Sequence, residues 1–217
     1  MFIPAGTERG ARKAGLSYLD AYKLATAKVD MAVKFFLGRE NINNPVVHYL
    51  SYNYLVKPYA ELGPILKVQE EAYKSWLADP FFKTNRVRVL FYHDLKLSFE
   101  SLPPSYLWAM QELEEETREY EWKRLSVLIG HGRRGESNWN PSHYGIHSTL
   151  GGDKRLIPPN IDLVIRTGRS TELPGVLPSQ SAYAKVFTIG KSIIEIDASD
   201  LSSILEDFET SSRNSGR

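Results

Sequence analysis

Gly6 and Arg9 follow a short apolar run, Met1-Phe2-Ile3-Pro4, in a Gly-containing turn that would suit an anion where it led into a helix. A strand-to-helix turn aims backbone N–H groups and the positive end of a helix dipole at one place, which favours an anion. A plainer reading gives Gly6 the turn alone and Arg9 a structural ion pair. His143 and His147 stand four apart, a spacing that suits a metal when both lie on a helix. Pro141 and Gly145 argue against a helix there, and no carboxylate lies at ligand spacing, so no metal site is expected. The chain has no Gly-x-Ser-x-Gly elbow for hydrolase chemistry. With no cysteine, thiolate nucleophiles, thiolate metal sites and disulfides are excluded.

Composition narrows the partners. The 217 residues suit one domain with a real core, and 42% hydrophobic against 24% charged is ordinary for a soluble protein. The net charge of +1, from 27 Lys and Arg against 26 Asp and Glu, gives no field to draw nucleic acid or an anionic membrane. No run approaches the ~18 apolar residues of a membrane span, and Met1 to Arg12 has no apolar leader. A cytoplasmic protein with at most peripheral membrane contact is expected. Aromatic content of 12% fits an apolar cavity and fits a packed core at least as well.

Apolar periodicity supplies the elements that must position these residues. Leu19, Tyr22, Leu24, Ala25, Val29, Val33 and Phe36 recur at helical spacing within 16–37. Val46 to Ser51 reads as a strand, 59–77 as a helix ending at Asp79-Pro80, and Val87 to Tyr92 as a strand. Pro103-Pro104 opens a helix into the acidic stretch 112–121, which reads as a solvated face. Strands follow at 124–130 and 161–165, at least one more within 183–196, and a closing helix at 201–208. Residues 135–160 show no helical period and read as an irregular segment. Strands alternating with helices imply βαβ units, a mainly parallel sheet and ligands beyond the carboxyl ends of the strands. Residues 1–209 read as one domain and 210–217 as a flexible polar tail.

Two linked segments then carry a resemblance. Ile161-Asp162-Leu163-Val164-Ile165-Arg166-Thr167-Gly168 resembles the D-L-x-I-R-T-G-G signature of cis-prenyltransferases, the family of undecaprenyl diphosphate synthase. Gln180-Ser181-Ala182-Tyr183-Ala184 resembles that family's W-Q-x-A-Y-A-E segment at its usual spacing. Pro4 to Arg12 is similar to M-D-G-N-x-R-W-A, Leu50 to Pro58 to F-S-x-E-N-W-x-R-P, and Ile129 to Glu136 to N-Y-G-G-R-x-E/D. The resemblance implies a single α/β domain with a mostly parallel six-stranded sheet flanked by helices, and dimers formed through the C-terminal part. It implies condensation of isopentenyl diphosphate onto an allylic diphosphate with Mg²⁺ and a hydrophobic tunnel. It also makes Gly6, Arg9, Arg134 and Arg166 the candidates for holding a diphosphate.

The departures fall on the chemistry. The family's metal-handling Asp position is Ala5, and a methyl group ligates no hard cation. The Glu-Asn pair of the second motif is Asn53 and Tyr54. An Arg and a His near the first motif are Tyr18 and Tyr22, and the second Gly of D-L-x-I-R-T-G-G is Arg169. The R-x-S that holds isopentenyl diphosphate is Glu172 and Pro174, and Glu172 would repel phosphate. The Trp and the final Glu of W-Q-x-A-Y-A-E are Ser179 and Lys185. The resemblance therefore implies a non-catalytic subunit of a heteromeric cis-prenyltransferase, binding no cofactor itself and beside a catalytically intact partner that holds Mg²⁺. The chain lacks the C-terminal Arg-x-Gly element of such subunits, which points to a structural role. The alternatives are a diverged prenyl-diphosphate-using transferase, with Glu8 or Glu136 as new metal carboxylate, and an isoprenoid-binding protein without catalysis; a homodimer is also possible.

Overall fold

The computed structural model describes residues 1–93, 101–131, 160–169, 176–177 and 180–213. Six strands form one sheet: β1 (Phe2–Ile3), β2 (Val46–Ser51), β3 (Val87–His93), β4 (Lys123–His131), β5 (Leu163–Thr167) and β6 (Lys185–Ile189). Their spatial order is β3-β4-β2-β1-β5-β6, and every pairing is parallel. β1 is only two residues long, yet it holds the centre, with Phe2 in register with Val47 on one side and Ile165 on the other. Such strands are covered on both faces, and Val46-Val47-His48-Tyr49-Leu50 is buried at every position and mostly apolar.

The helices are α1 (Thr7–Ala14), α2 (Tyr18–Leu37), α3 (Tyr52–Leu55), α4 (Tyr59–Ala78), α5 (Pro80–Thr84), α6 (Pro104–Glu116) and α7 (Ala198–Arg213). Apolar spacing places α2 and α4, but it cannot reveal α1, whose sequence TERGARKA buries only Thr7, Gly10 and Ala11. Gly15, left-handed at φ 65°, ends α1, and the Ser17 hydroxyl then accepts from the Asp20 amide to start α2. The closing helix runs through Arg213, so the boundary expected at Glu209 falls inside it.

One face of the sheet carries the larger core. Tyr49, Tyr73, Trp76, Phe82, Phe91 and Tyr106 fill the layer between the sheet and α2, α4 and α6, in tilted, edge-on and stacked contacts. Two polar side chains in that layer are paired: Tyr106 donates to Gln69 Oε1 at 2.8 Å, and Gln69 donates to the Tyr49 carbonyl at 3.1 Å. The Trp76 indole donates to Asp30 at 2.9 Å, tying α4 to α2. The opposite face holds a smaller cluster around Ile3, Leu90, Tyr92, Leu128 and Val164. Among the described residues no helix is long and apolar enough to cross a membrane.

Candidate functional site

The carboxyl ends of β1 and β5 meet in two glycine turns. Gly6 has φ 87° and caps α1 without a side-chain hydrogen bond; Gly168 has φ 88° just past β5. These left-handed values favour glycine; a Cβ would be crowded at Gly6 and would meet ordinary van der Waals contacts at Gly168. The Arg9 Nη2 atom lies 3.2 Å from where a Cβ on Gly6 would stand and 3.5 Å from one on Gly168. Arg9 is exposed, and its guanidinium therefore lies against both turns, in front of the first turn of α1.

Ala5 is fixed between these turns by its backbone. Its amide donates to Thr167 Oγ1 at 2.7 Å, and the same hydroxyl donates to the Ala5 carbonyl at 2.9 Å. The Ile193 amide adds a second donor to that carbonyl at 3.0 Å. Ser192 Oγ donates to the Gly6 carbonyl at 2.8 Å, and a Cβ on Gly10 would stand 2.4 Å from that same oxygen. The short 3-10 turn Ile193–Glu195 thus packs directly on α1. The Glu195 carboxylate ion-pairs with Lys13 and accepts from the Ser192 amide, and these contacts hold its pKa below the usual carboxylate range.

The second motif sits at the end of β2. Tyr22 on α2 donates a 2.7 Å hydrogen bond to the Tyr54 hydroxyl on α3, with the two rings edge-on at 6.0 Å. Tyr18 packs on Tyr22 with ring centroids 4.6 Å apart. Burial, reinforced by Tyr54, pushes the Tyr22 phenol well above its ordinary pKa; burial also raises Tyr54. Lys57 bridges this group to α1, 3.1 Å from Glu8 and 5.1 Å above the Tyr54 ring. Partial burial opposes the Lys57 charge, but the contacts with Glu8, Tyr18 and Glu61 together outweigh it and raise the lysine pKa.

The structure thus brings Gly6, Arg9 and Gly168 together. Arg166 stands in register with Ile3 on β5 and shares the face of Ile3 and Val164, opposite to the α1–α2 layer. Arg134, Glu136, His143 and His147 lie outside the described residues, as do Glu172, Pro174 and Ser179. The sequence shows each tyrosine substitution separately but not that Tyr22 and Tyr54 bond to each other. Their shared polar phenols, 32 positions apart, were the only signal. The residues at the first turn do not fit Mg²⁺: Ala5 offers a methyl group where a hard cation needs carboxylate oxygen, and Glu8 is engaged by Lys57.

An all-parallel six-stranded α/β sheet with an anion-favouring strand-to-helix turn at its carboxyl edge defines a class of ligand-binding α/β domains. This chain belongs to the family described as putative undecaprenyl diphosphate synthase, whose sequence profile matches residues 3–216. It is 30% identical over 232 aligned residues to the tritrans,polycis-undecaprenyl-diphosphate synthase (geranylgeranyl-diphosphate specific) of Pyrobaculum aerophilum, covering 99% of this chain and 94% of that protein. An isoprenyl transferase of Deinococcus radiodurans is 28% identical, over 84% of this chain and 71% of its own length. Lavandulyl diphosphate synthase from Lavandula x intermedia, solved with dimethylallyl diphosphate, shares the fold at TM-score 0.77 and 13% identity, over 95% of this chain and 92% of that one. A probable undecaprenyl diphosphate synthase from Campylobacter jejuni does so at TM-score 0.65 and 19% identity, over 86% and 88%.

Proposed function

We propose that this chain is the non-catalytic accessory subunit of a heteromeric cis-prenyltransferase that makes polyprenyl diphosphate, the precursor of a glycosyl carrier lipid. The observation that carries the reading is Ala5, bonded through its backbone to Thr167 and Ile193 at the place where the family reaction needs a carboxylate. The surrounding scaffold is kept: two glycine turns, Arg9 and the parallel sheet. The tyrosine group at the end of β2 holds a neutral hydrogen-bonded pair where the family has Glu-Asn and His. Aromatic side chains fill the layer between the sheet and α2, α4 and α6, which supports a scaffold rather than a product tunnel.

In this reading a catalytically intact partner holds Mg²⁺ and the growing chain, and this subunit stabilises it. Gly6 and Arg9 are the candidates for a diphosphate at the shared edge, with Arg134 and Arg166 as further candidates. A second reading, an isoprenoid-binding protein without catalysis, draws on a cavity of about 310 Å³ at the amino ends of β1, β2 and β5, lined by Phe36, Ile42, Leu205 and Phe208.

The test is co-purification with an intact cis-prenyltransferase from the same source, followed by labelled isopentenyl diphosphate incorporation for each chain alone and for the pair. Geranylgeranyl diphosphate, named for the Pyrobaculum relative, belongs among the allylic primers. Activity in the mixture that neither chain nor partner shows alone is expected. Incorporation by this chain alone overturns the reading and directs attention to Glu8 and Glu136. Retention of a polyprenol by this chain without any partner would favour the binding-protein reading instead.

A further inference from the structure

Arg88 and Arg124 stand directly opposite each other in the register of β3 and β4, near the amino ends of those strands. Residues paired across neighbouring parallel strands project from the same face, so two guanidinium-bearing side chains leave the sheet side by side. Like charges placed so are destabilising unless something neutralises them. Neither arginine has an ion pair or side-chain hydrogen bond with any described residue, and the Arg88 Nε atom is buried without an acceptor. A buried guanidinium N–H without an acceptor is costly, and an occupant that supplies oxygens removes the cost.

The surroundings have the shape and chemistry of a ligand site. Both arginines line a cleft of about 530 Å³ together with Asn43, Asn44, Tyr120 and Trp122. That size lies within the range of small-molecule pockets. Trp122 is 63% exposed, an unusual position for so large an apolar ring in a folded chain. Lys123, from the same strand end, is already engaged by the carbonyls of Leu37 and Arg39, so it helps build the wall. Glu121 also lines the cleft; it is exposed and forms no ion pair with either arginine. The cleft lies at the amino edge of the sheet, at the opposite end of the strands from the Gly6–Arg9 turn.

We propose that this cleft binds a small oxyanion carrying a planar ring, of the chemical class of nucleoside monophosphates and aromatic carboxylates, with the oxygens on Arg88 and Arg124 and the ring on Trp122. Guanidinium forks suit the two-oxygen edge of a phosphate or carboxylate, and an indole face takes a flat ring. The amide groups of Asn43 and Asn44 supply further polar contacts for the uncharged part of such a ligand. The proposal stands apart from the prenyltransferase reading, since it uses none of the residues at the carboxyl edge.

Intrinsic fluorescence and calorimetric titration of the purified chain test it, using adenosine monophosphate, adenosine, inorganic phosphate and benzoate as probes. Saturable binding of adenosine monophosphate is expected, with phosphate alone and adenosine alone each weaker by about ten-fold or more. Benzoate binding above adenosine monophosphate would assign the oxyanion to a carboxylate source. The double variant Arg88→Gln with Arg124→Gln is expected to fold at least as stably as the parent, because it removes two unneutralised neighbouring charges, and to lose that binding. Trp122→Phe should abolish the fluorescence change while leaving calorimetric binding of phosphate. No saturable binding of any anionic probe up to about 10 mM, or equal binding by the double variant, overturns the proposal.

Discussion

Tyr22 and Tyr54 share one hydrogen bond of 2.7 Å between α2 and α3, and through Lys57 and Glu8 that contact reaches α1. Phenylalanine at either position leaves a buried phenol without its partner and is expected to lower stability by about 1–2 kcal/mol. The double Phe variant should lose less than the sum of the singles, because the partners are removed together. Urea unfolding of the four proteins in the cycle measures this, and strict additivity would show that the bond contributes nothing.

Alkaline pH should unfold the chain in a defined direction. Burial raises the phenols of Tyr22, Tyr49, Tyr73 and Tyr106 above their ordinary value in the folded state. The unfolded chain therefore loses these protons first as pH climbs past about 10, and stability falls from there upward. Below that pH both states keep the protons and these groups contribute no slope. Unfolding midpoints measured from pH 8 to 11 check the sign, and Tyr73→Phe should flatten the fall.

Thr167→Val removes the hydroxyl that both accepts from and donates to Ala5. The Ala5 amide loses its acceptor, while its carbonyl keeps the Ile193 donor. A loss of about 1–3 kcal/mol is expected, with the sheet intact by circular dichroism. Thr167→Ser keeps the oxygen and should recover most of the loss.

Gly168→Ala tests the turn behind Arg9. A left-handed φ of 88° strains any L side chain, and the new Cβ would stand 3.5 Å from the Arg9 guanidinium. A cost of about 1–2 kcal/mol is expected from the backbone alone. In the paired assay the same variant should weaken stimulation of the partner if Arg9 meets diphosphate at the shared edge. Unchanged stimulation would assign Arg9 a purely structural part.

Trp76→Ala empties the centre of the aromatic layer between α2, α4 and the sheet, where Trp76 stacks on Phe82 and donates to Asp30. A loss of about 3–5 kcal/mol is expected from thermal unfolding, the range for large-to-small core changes. The chain should gain no prenyl-chain synthesis from the space created, because Ala5 is unaltered.

Local sequence determined a good part of this molecule. Val46 to Ser51 reads as a buried strand because its short run is mostly apolar, and α2 and α4 read as helices because their apolar residues recur once per turn. The composition of the chemical edge was equally legible: the Ala5 side chain cannot ligate a cation in any fold. Periodicity could not show α1, a polar helix that buries three small residues, nor the true ends of β5, whose ladder begins only where Leu163 meets β6 and Ile165 meets β1. Which residues meet is a matter of distant partners. Arg9 against Gly168, Tyr22 against Tyr54 and Arg88 beside Arg124 are set by strand register and helix packing, interactions between segments tens of residues apart, and only the closed tertiary structure decides them.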